Sequence, residues 1–127
     1  MANLLDTHLY DLLGEDYFVR LTAAFYRRVA GDDLVGAMYP KADLPGAEVR
    51  LRDFLIQRFG GPQTYSQQRG HPRLRMRHAP FAIDEAARDR WVEMMSAALD
   101  EVQTPATARP LLDSFFADAA TFMINRG

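Results

Sequence analysis

Gly60-Gly61-Pro62-Gln63-Thr64-Tyr65-Ser66-Gln67-Gln68-Arg69-Gly70-His71-Pro72-Arg73-Leu74-Arg75-Met76-Arg77-His78-Ala79-Pro80-Phe81-Ala82-Ile83 is a long stretch along which no helical stripe of apolar residues can be drawn. Gly60-Gly61-Pro62 stops whatever precedes it, and Gly70, Pro72 and Pro80 leave room only for a short turn near Pro72 to Arg77. Structureless segments beyond about 12–15 residues are uncommon inside compact domains and are usually functional. The segment is also the basic part of the chain. From Phe54 to Ile83 there is no Asp or Glu, whereas Arg58, Arg69, Arg73, Arg75 and Arg77 supply five positive charges.

On both sides of this segment the pattern is helical. Phe18, Leu21, Thr22, Phe25 and Val29 form one stripe between Glu15 and Ala30, ended by Gly31 and Asp32. Ala47, Leu51, Phe54, Leu55 and Phe59 form a second stripe from Pro45 to Phe59. A third helix is expected after Asp84, a suitable N-cap, with Glu85 in the first turn and Ile83 placed for a hydrophobic staple. Its stripe runs through Ala87, Trp91, Met94, Met95, Ala98 and Val102. A last helix begins between Thr104 and Pro110, with Leu111, Leu112, Phe115, Ala119, Phe122 and Met123 expected to face inward. Nothing alternates with strand period, so the fold class is all-α.

At 127 residues, 48% hydrophobic and 25% charged, the chain has the size and composition of one globular domain, expected to span 1–127. It contains no cysteine, which excludes disulfides, thiolate metal sites, iron–sulfur clusters, cysteine nucleophiles and covalent haem attachment. The N-terminus has no signal-peptide pattern, and no window approaches the ~18 apolar residues of a membrane span, so no membrane span and a cytoplasmic location are expected. The net charge of −2 argues against an anionic partner as a whole. Removing the five arginines of the acid-free window leaves −7 for the rest, so any anionic partner must be local.

Serine-hydrolase, P-loop and dinucleotide-binding motifs are absent. His8, His71 and His78 include no paired spacing suited to a protein-only metal site. One histidine suffices where a porphyrin supplies four nitrogens, the opposite axial position staying open for a gas. His78 is the candidate, because the short turn ends there and Ala79-Pro80-Phe81 redirects the chain. The plain alternative is a loop histidine without a role, while His71 before Pro72 reads as a cap or rim residue. A haem would also occupy the arginines, since its two propionates are carboxylates and arginine binds carboxylate as a planar fork. Arg75 and Arg77 are the loop arginines placed there. The plain alternative is a solvated charge run in a chain whose basic residues are nearly all Arg. Across the pocket, Ala47, Leu51 and Phe54 share one helix face with Arg50 at its edge. Tyr26, Tyr39 and Trp91 are polar-tipped aromatics able to donate to a bound ligand, or to serve as ordinary core aromatics.

Phe25-Tyr26, Tyr39-Pro40, Gly60-Gly61-Pro62-x-Thr64-Tyr65-Ser66 and Arg69-Gly70-His71-Pro72-Arg73-Leu74-Arg75-Met76-Arg77-His78-Ala79-Pro80-Phe81, with Trp91 thirteen residues after His78, closely resemble the group II truncated haemoglobins of bacteria. The likeness runs from about Tyr17 to Met95. It implies a two-over-two helical sandwich with an extended loop before the proximal histidine and a residual first helix near Thr7 to Leu13. It implies haem b (iron protoporphyrin IX) ligated by His78 at a pentacoordinate iron. It further implies Trp91 and Tyr26 as distal donors, with Tyr39 beside them as in the actinobacterial branch, and Arg50 and Tyr65 as propionate contacts. Ala47 stands where a distal histidine would be, so the three aromatic donors must stabilise the ligand together, which slows release.

The function expected is reversible binding of dioxygen, with carbon monoxide and nitric oxide as further ligands. Nitric-oxide dioxygenase or peroxidase-like chemistry is an extension that sequence does not choose, and slow release suits reaction or sensing better than oxygen transport. A reductase of unknown identity and a homodimer are the partners considered. The other class weighed is a small helical nucleic-acid-binding module using the Arg-rich loop. It is disfavoured because the segment has few polar partners for bases and the remaining charge is negative, so no nucleic-acid partner is expected.

Overall fold

The computed structural model describes residues 8–126, and no strand occurs among them. Helix α1 is Leu9–Leu13 and α2 is Glu15–Ala30. The expected start of the first helix at Thr7 lies outside the described residues. Gly14 joins α1 to α2 at φ 82°, a left-handed conformation that favours glycine although a Cβ would have open space. Glu15 and Asp16 in the first turn of α2 and Arg27 and Arg28 in its last complement the helix dipole. The expected stripe of Phe18, Leu21, Thr22, Phe25 and Val29 is buried throughout. Thr22, the polar member, is satisfied by donating to the Phe18 carbonyl at 2.9 Å.

Helix α3, Leu44–Arg58, follows two single-turn 3₁₀ segments, and Pro45 in its first turn gives up no helical hydrogen bond. Its end is fastened to α1: the Tyr10 N–H donates to the Phe59 carbonyl at 2.9 Å. A Cβ on Gly61 would stand 2.6 Å from the Ile56 side chain and 2.7 Å from the Tyr10 ring, so this close approach requires glycine.

The next segment departs from expectation. In place of one short turn it holds two helices, α4 at Thr64–Arg69 and α5 at Leu74–His78. The cause of α4 lies in α3. Gln57 Oε1 accepts the Ser66 N–H at 2.9 Å, and its Nε2 donates to Ser66 Oγ at 2.7 Å, satisfying a first-turn amide from nine residues away. Gly70 ends α4 at φ 76°. Arg73 takes the left-handed conformation at φ 45°, which delays α5 to Leu74 and makes His78 its last residue. The His71 ring accepts the Arg73 N–H at 3.2 Å, a turn contact just ahead of that helix.

Helix α6 is Glu85–Glu101, and Asp84 caps it as expected, accepting the Ala87 N–H at 2.9 Å. Helix α7 is Arg109–Phe122. Its inward row is Leu112, Phe116 and Ala120; Phe122, expected inside, is 62% exposed. The buried row keeps strict four-residue spacing from Leu112, which carries Phe122 around to solvent.

Helix α2 packs on α3 and on α6, and α6 packs on α7, the arrangement of a two-over-two truncated globin. Phe18, Phe25, Leu55, Phe59, Met95, Leu99 and Leu112 are among the fully buried side chains of the core. No described helix is long and apolar enough to cross a membrane.

Candidate functional site

A cavity of about 340 Å³ opens between α3, α6, α7 and the segment carrying α4 and α5. That volume lies within the range of small-molecule sites. The site residues expected from sequence whose side chains are described all line it. From α2 and the following corner come Tyr26 and Tyr39; from α3 come Ala47, Arg50, Leu51 and Phe54. Tyr65 stands on α4, Arg77 and His78 on α5, and Trp91 on α6. The backbone of Arg75 belongs to α5, but its side chain lies outside what the structure describes.

One wall is aromatic and firmly packed. The Tyr26 ring meets Phe25 edge-on at 5.0 Å and Tyr39 at 5.7 Å, while Trp91 lies 5.0 Å from Phe25 and 5.8 Å from Phe116. Burial pushes the Tyr26 phenol well above its ordinary value, and the neighbouring Tyr39 pushes it further. Burial raises Tyr39 as well, opposed by hydrogen-bonding interaction of its oxygen with Tyr26 and Trp91. All three polar tips therefore converge, and both phenols stay protonated at neutral pH as donors. Ala47 is buried among them, where a longer side chain would fill the space.

The corner bearing Tyr39 is fixed to α6. Asp32 accepts the Leu34 and Val35 N–H groups at 3.0 and 2.7 Å and Arg90 at 2.5 Å. Burial pushes the Asp32 carboxyl up, but these hydrogen bonds outweigh it and hold the group below its ordinary value. Arg90 precedes Trp91, so one ion pair ties together the backbones that carry Trp91 and Tyr39.

Another part of the lining carries the imidazole. The His78 ring lies edge-on to Phe81, with centroids 6.4 Å apart, at the end of a five-residue helix. Tyr65 is buried and packs edge-on against Phe54 at 5.7 Å. Around the mouth, Arg50 pairs with Asp43 at 2.7 Å. Arg77 donates to the backbone carbonyls of Pro72 and Arg69 at 2.8 and 2.9 Å. Its hydrogen bonds thus brace the loop while its charge stays at the cavity. The reading of this loop as a nucleic-acid contact gains no support from that inward arrangement.

Arg69 and Arg88 also line the cavity, and sequence reasoning did not single them out as site residues. Arg88 was findable, since it lies three residues before Trp91 on the same face of α6. Arg69 belongs to the acid-free window, with nothing to separate it from its neighbours there.

No group of three or more His, Asp or Glu side chains among the described residues could hold a metal ion by itself. The donor set instead suits a flat apolar group with anionic edges: apolar side walls, one imidazole, guanidinium charges and a phenol at the rim. Haem has that chemistry, and His78 is the residue that would ligate its iron.

The family model described as "Bacterial-like globin" matches residues 8–125. The group 2 truncated hemoglobin YjbI of Bacillus subtilis is 35% identical over 117 residues, covering 92% of this chain and 88% of that protein. The crystal structure of the hemoglobin of the thermophilic phototroph Chloroflexus aurantiacus superposes with a TM-score of 0.89 at 47% identity, covering 94% of this chain and 98% of that one. The truncated oxygen-avid haemoglobin of Bacillus subtilis superposes with a TM-score of 0.87 at 35% identity, covering 91% and 98%.

Proposed function

The chain belongs to the bacterial-like globin family, whose members bind gases through haem, and on that premise we propose that it is a haem b protein binding dioxygen reversibly. The observation that supports this reading is that one cavity is lined in common by His78, Tyr26, Tyr39 and Trp91. In this proposal His78 is the proximal ligand. When bound, the haem supplies gas binding and the redox chemistry available to it, and the protein tunes both.

The chain's own residues do the rest. Tyr26, Tyr39 and Trp91, joined at the Tyr39 oxygen, would offer their polar tips to a ligand that gains negative charge on binding. The raised phenols keep those protons at neutral pH. Ala47, Leu51 and Phe54 exclude water. Arg50, Arg77 and Tyr65 hold the propionates at the rim, and Arg69 and Arg88 add positive charge there. Arg50, whose guanidinium already pairs with Asp43, would be one of these contacts. The strongly donating wall favours slow release, which supports reaction or sensing over oxygen transport. When loaded, the haem would supply the chemistry for oxidising nitric oxide to nitrate with dioxygen, or for peroxidase-like turnover; the former would need a cytoplasmic reductase to supply electrons between turnovers.

Purified protein should be red, with a Soret band that responds to reduction, oxygen and carbon monoxide; a colourless chain that takes up no haem would overturn the reading. Anaerobic mixing of the oxygenated form with nitric oxide should give stoichiometric nitrate. Persistence of the oxygenated spectrum would remove the dioxygenase assignment while leaving gas binding intact.

A further inference from the structure

Beyond α7 the chain turns back along the segment that follows His78. The backbone N–H groups of Asn125 and Arg126 both donate to the Ile83 carbonyl, at 2.9 and 3.1 Å. The Asn125 side chain then enters the turn itself. Its Oδ1 accepts the Ile83 N–H at 2.9 Å, and its Nδ2 donates to the Phe81 carbonyl at 2.9 Å and to the His78 carbonyl at 3.3 Å. The His78 carbonyl also accepts the Phe81 N–H at 2.9 Å, closing the turn. The orientation of the amide is dictated by its partners: the Ile83 N–H needs an acceptor, the Phe81 carbonyl takes a donor, and the His78 carbonyl has a second lone pair for another. A short planar side chain with one acceptor and two donors meets that demand, and among the natural residues asparagine has this reach.

We propose that Asn125 is a positioning residue for His78, fixing the backbone from which the imidazole and the adjoining Phe81 ring reach the cavity. The proposal rests on the reading of His78 as the haem ligand. Helix α5 has five residues, too few to hold a direction alone, and the turn after it contains Ala79 and Pro80, neither of which anchors it to the helical core. Asn125 grips that turn at three residues while touching no part of the cavity. Groups that orient a metal-bound histidine are ordinarily worth a large factor in metal affinity although they never touch the metal. Here the orientation acts through the backbone of the histidine, and it arrives from the far end of the chain.

The test uses the full haem-loaded chain with Asn125→Ala and Asn125→Asp. The aspartate keeps the shape and the acceptor for Ile83 but replaces both donors by oxygen facing two carbonyls. Both variants should shift and broaden the iron–imidazole stretching band in the ferrous resonance Raman spectrum. Both should speed haem transfer to an excess of apomyoglobin by about tenfold, the lower end of the range for such groups. Hydrogen exchange at the Phe81 and Ile83 amides should accelerate in parallel. If Asn125→Ala fails to fold, the aspartate variant carries the same measurements. Variants that merely melt earlier, with the band and the transfer rate unchanged, would show a tail tether and overturn the proposal. A wild-type chain that takes up no haem would instead overturn the ligand reading on which it rests.

Discussion

On the aromatic side of the cavity, Tyr26, Ala47, Leu51 and Trp91 stand on helices of 15 to 17 residues whose buried stripes pack against one another. On the imidazole side, Tyr65 and His78 stand on helices of six and five residues, whose hydrogen bonds to Gln57 and Asn125 come from outside the segment. Helices shorter than about 12 residues are marginal in water. One wall is therefore rigid because its elements bury apolar faces, and the other because distant amide side chains satisfy its backbone. A cavity with one packed wall and one tethered wall combines fixed distal donors with a ligand whose placement can be tuned by residues remote from it.

The largest effect should come from removing the tethered wall's own functional group. His78→Ala should lose haem during purification, read as the haem-to-protein ratio; full retention would refute His78 as the ligand. Next comes the packed wall. Trp91→Phe and Tyr26→Phe each delete a donor worth about 1 kcal/mol, so dioxygen dissociation in stopped flow should speed by roughly fivefold or more. Unchanged rates in both would remove the distal assignment.

Gln57→Ala tests the tether of α4. Losing a first-turn cap should cost about 1–2 kcal/mol in denaturant unfolding, with faster exchange at the Ser66 amide and slower effects, if any, on α2 and α6. The smallest effect concerns the clasp behind the packed wall. The carboxyl of Asp32 lies below its unfolded value of about 3.9. Its contribution is thus complete above that pH and is lost as pH falls through the lower folded value. Asp32→Asn should flatten this part of the acid unfolding curve, and an identical acid limb in the two proteins would count against the clasp.

The two walls also differ in how far they could be read beforehand. The stripes on α2 and α6 and the Asp84 cap follow from local spacing, because helical period and capping chemistry act within a few residues. Ala47 and Trp91 could therefore be placed on faces before their meeting was seen, whereas Tyr26 stands outside the stripe read for α2. Helix α4 could not, since its cap is the side chain of Gln57, and residues 60–83 look structureless without it. In α7, Leu111 and Leu112, like Phe115 and Phe116, are adjacent alternatives; packing selected Leu112 and Phe116 for the core and turned Phe122 outward.

The amino-acid sequence by itself determined the helical class, the interruption between Gly60 and Ile83, the concentration of arginine there and His78 as the imidazole at its end, because periodicity, chain breaks and charge are local properties. Only the tertiary structure decided that Tyr26, Tyr39 and Trp91 line the same cavity as that imidazole, that Arg77 braces the loop, and that Asn125 grips the His78 turn from 47 residues away. Those arrangements depend on which helices pack together and on which buried backbone groups remain to be hydrogen-bonded once they have.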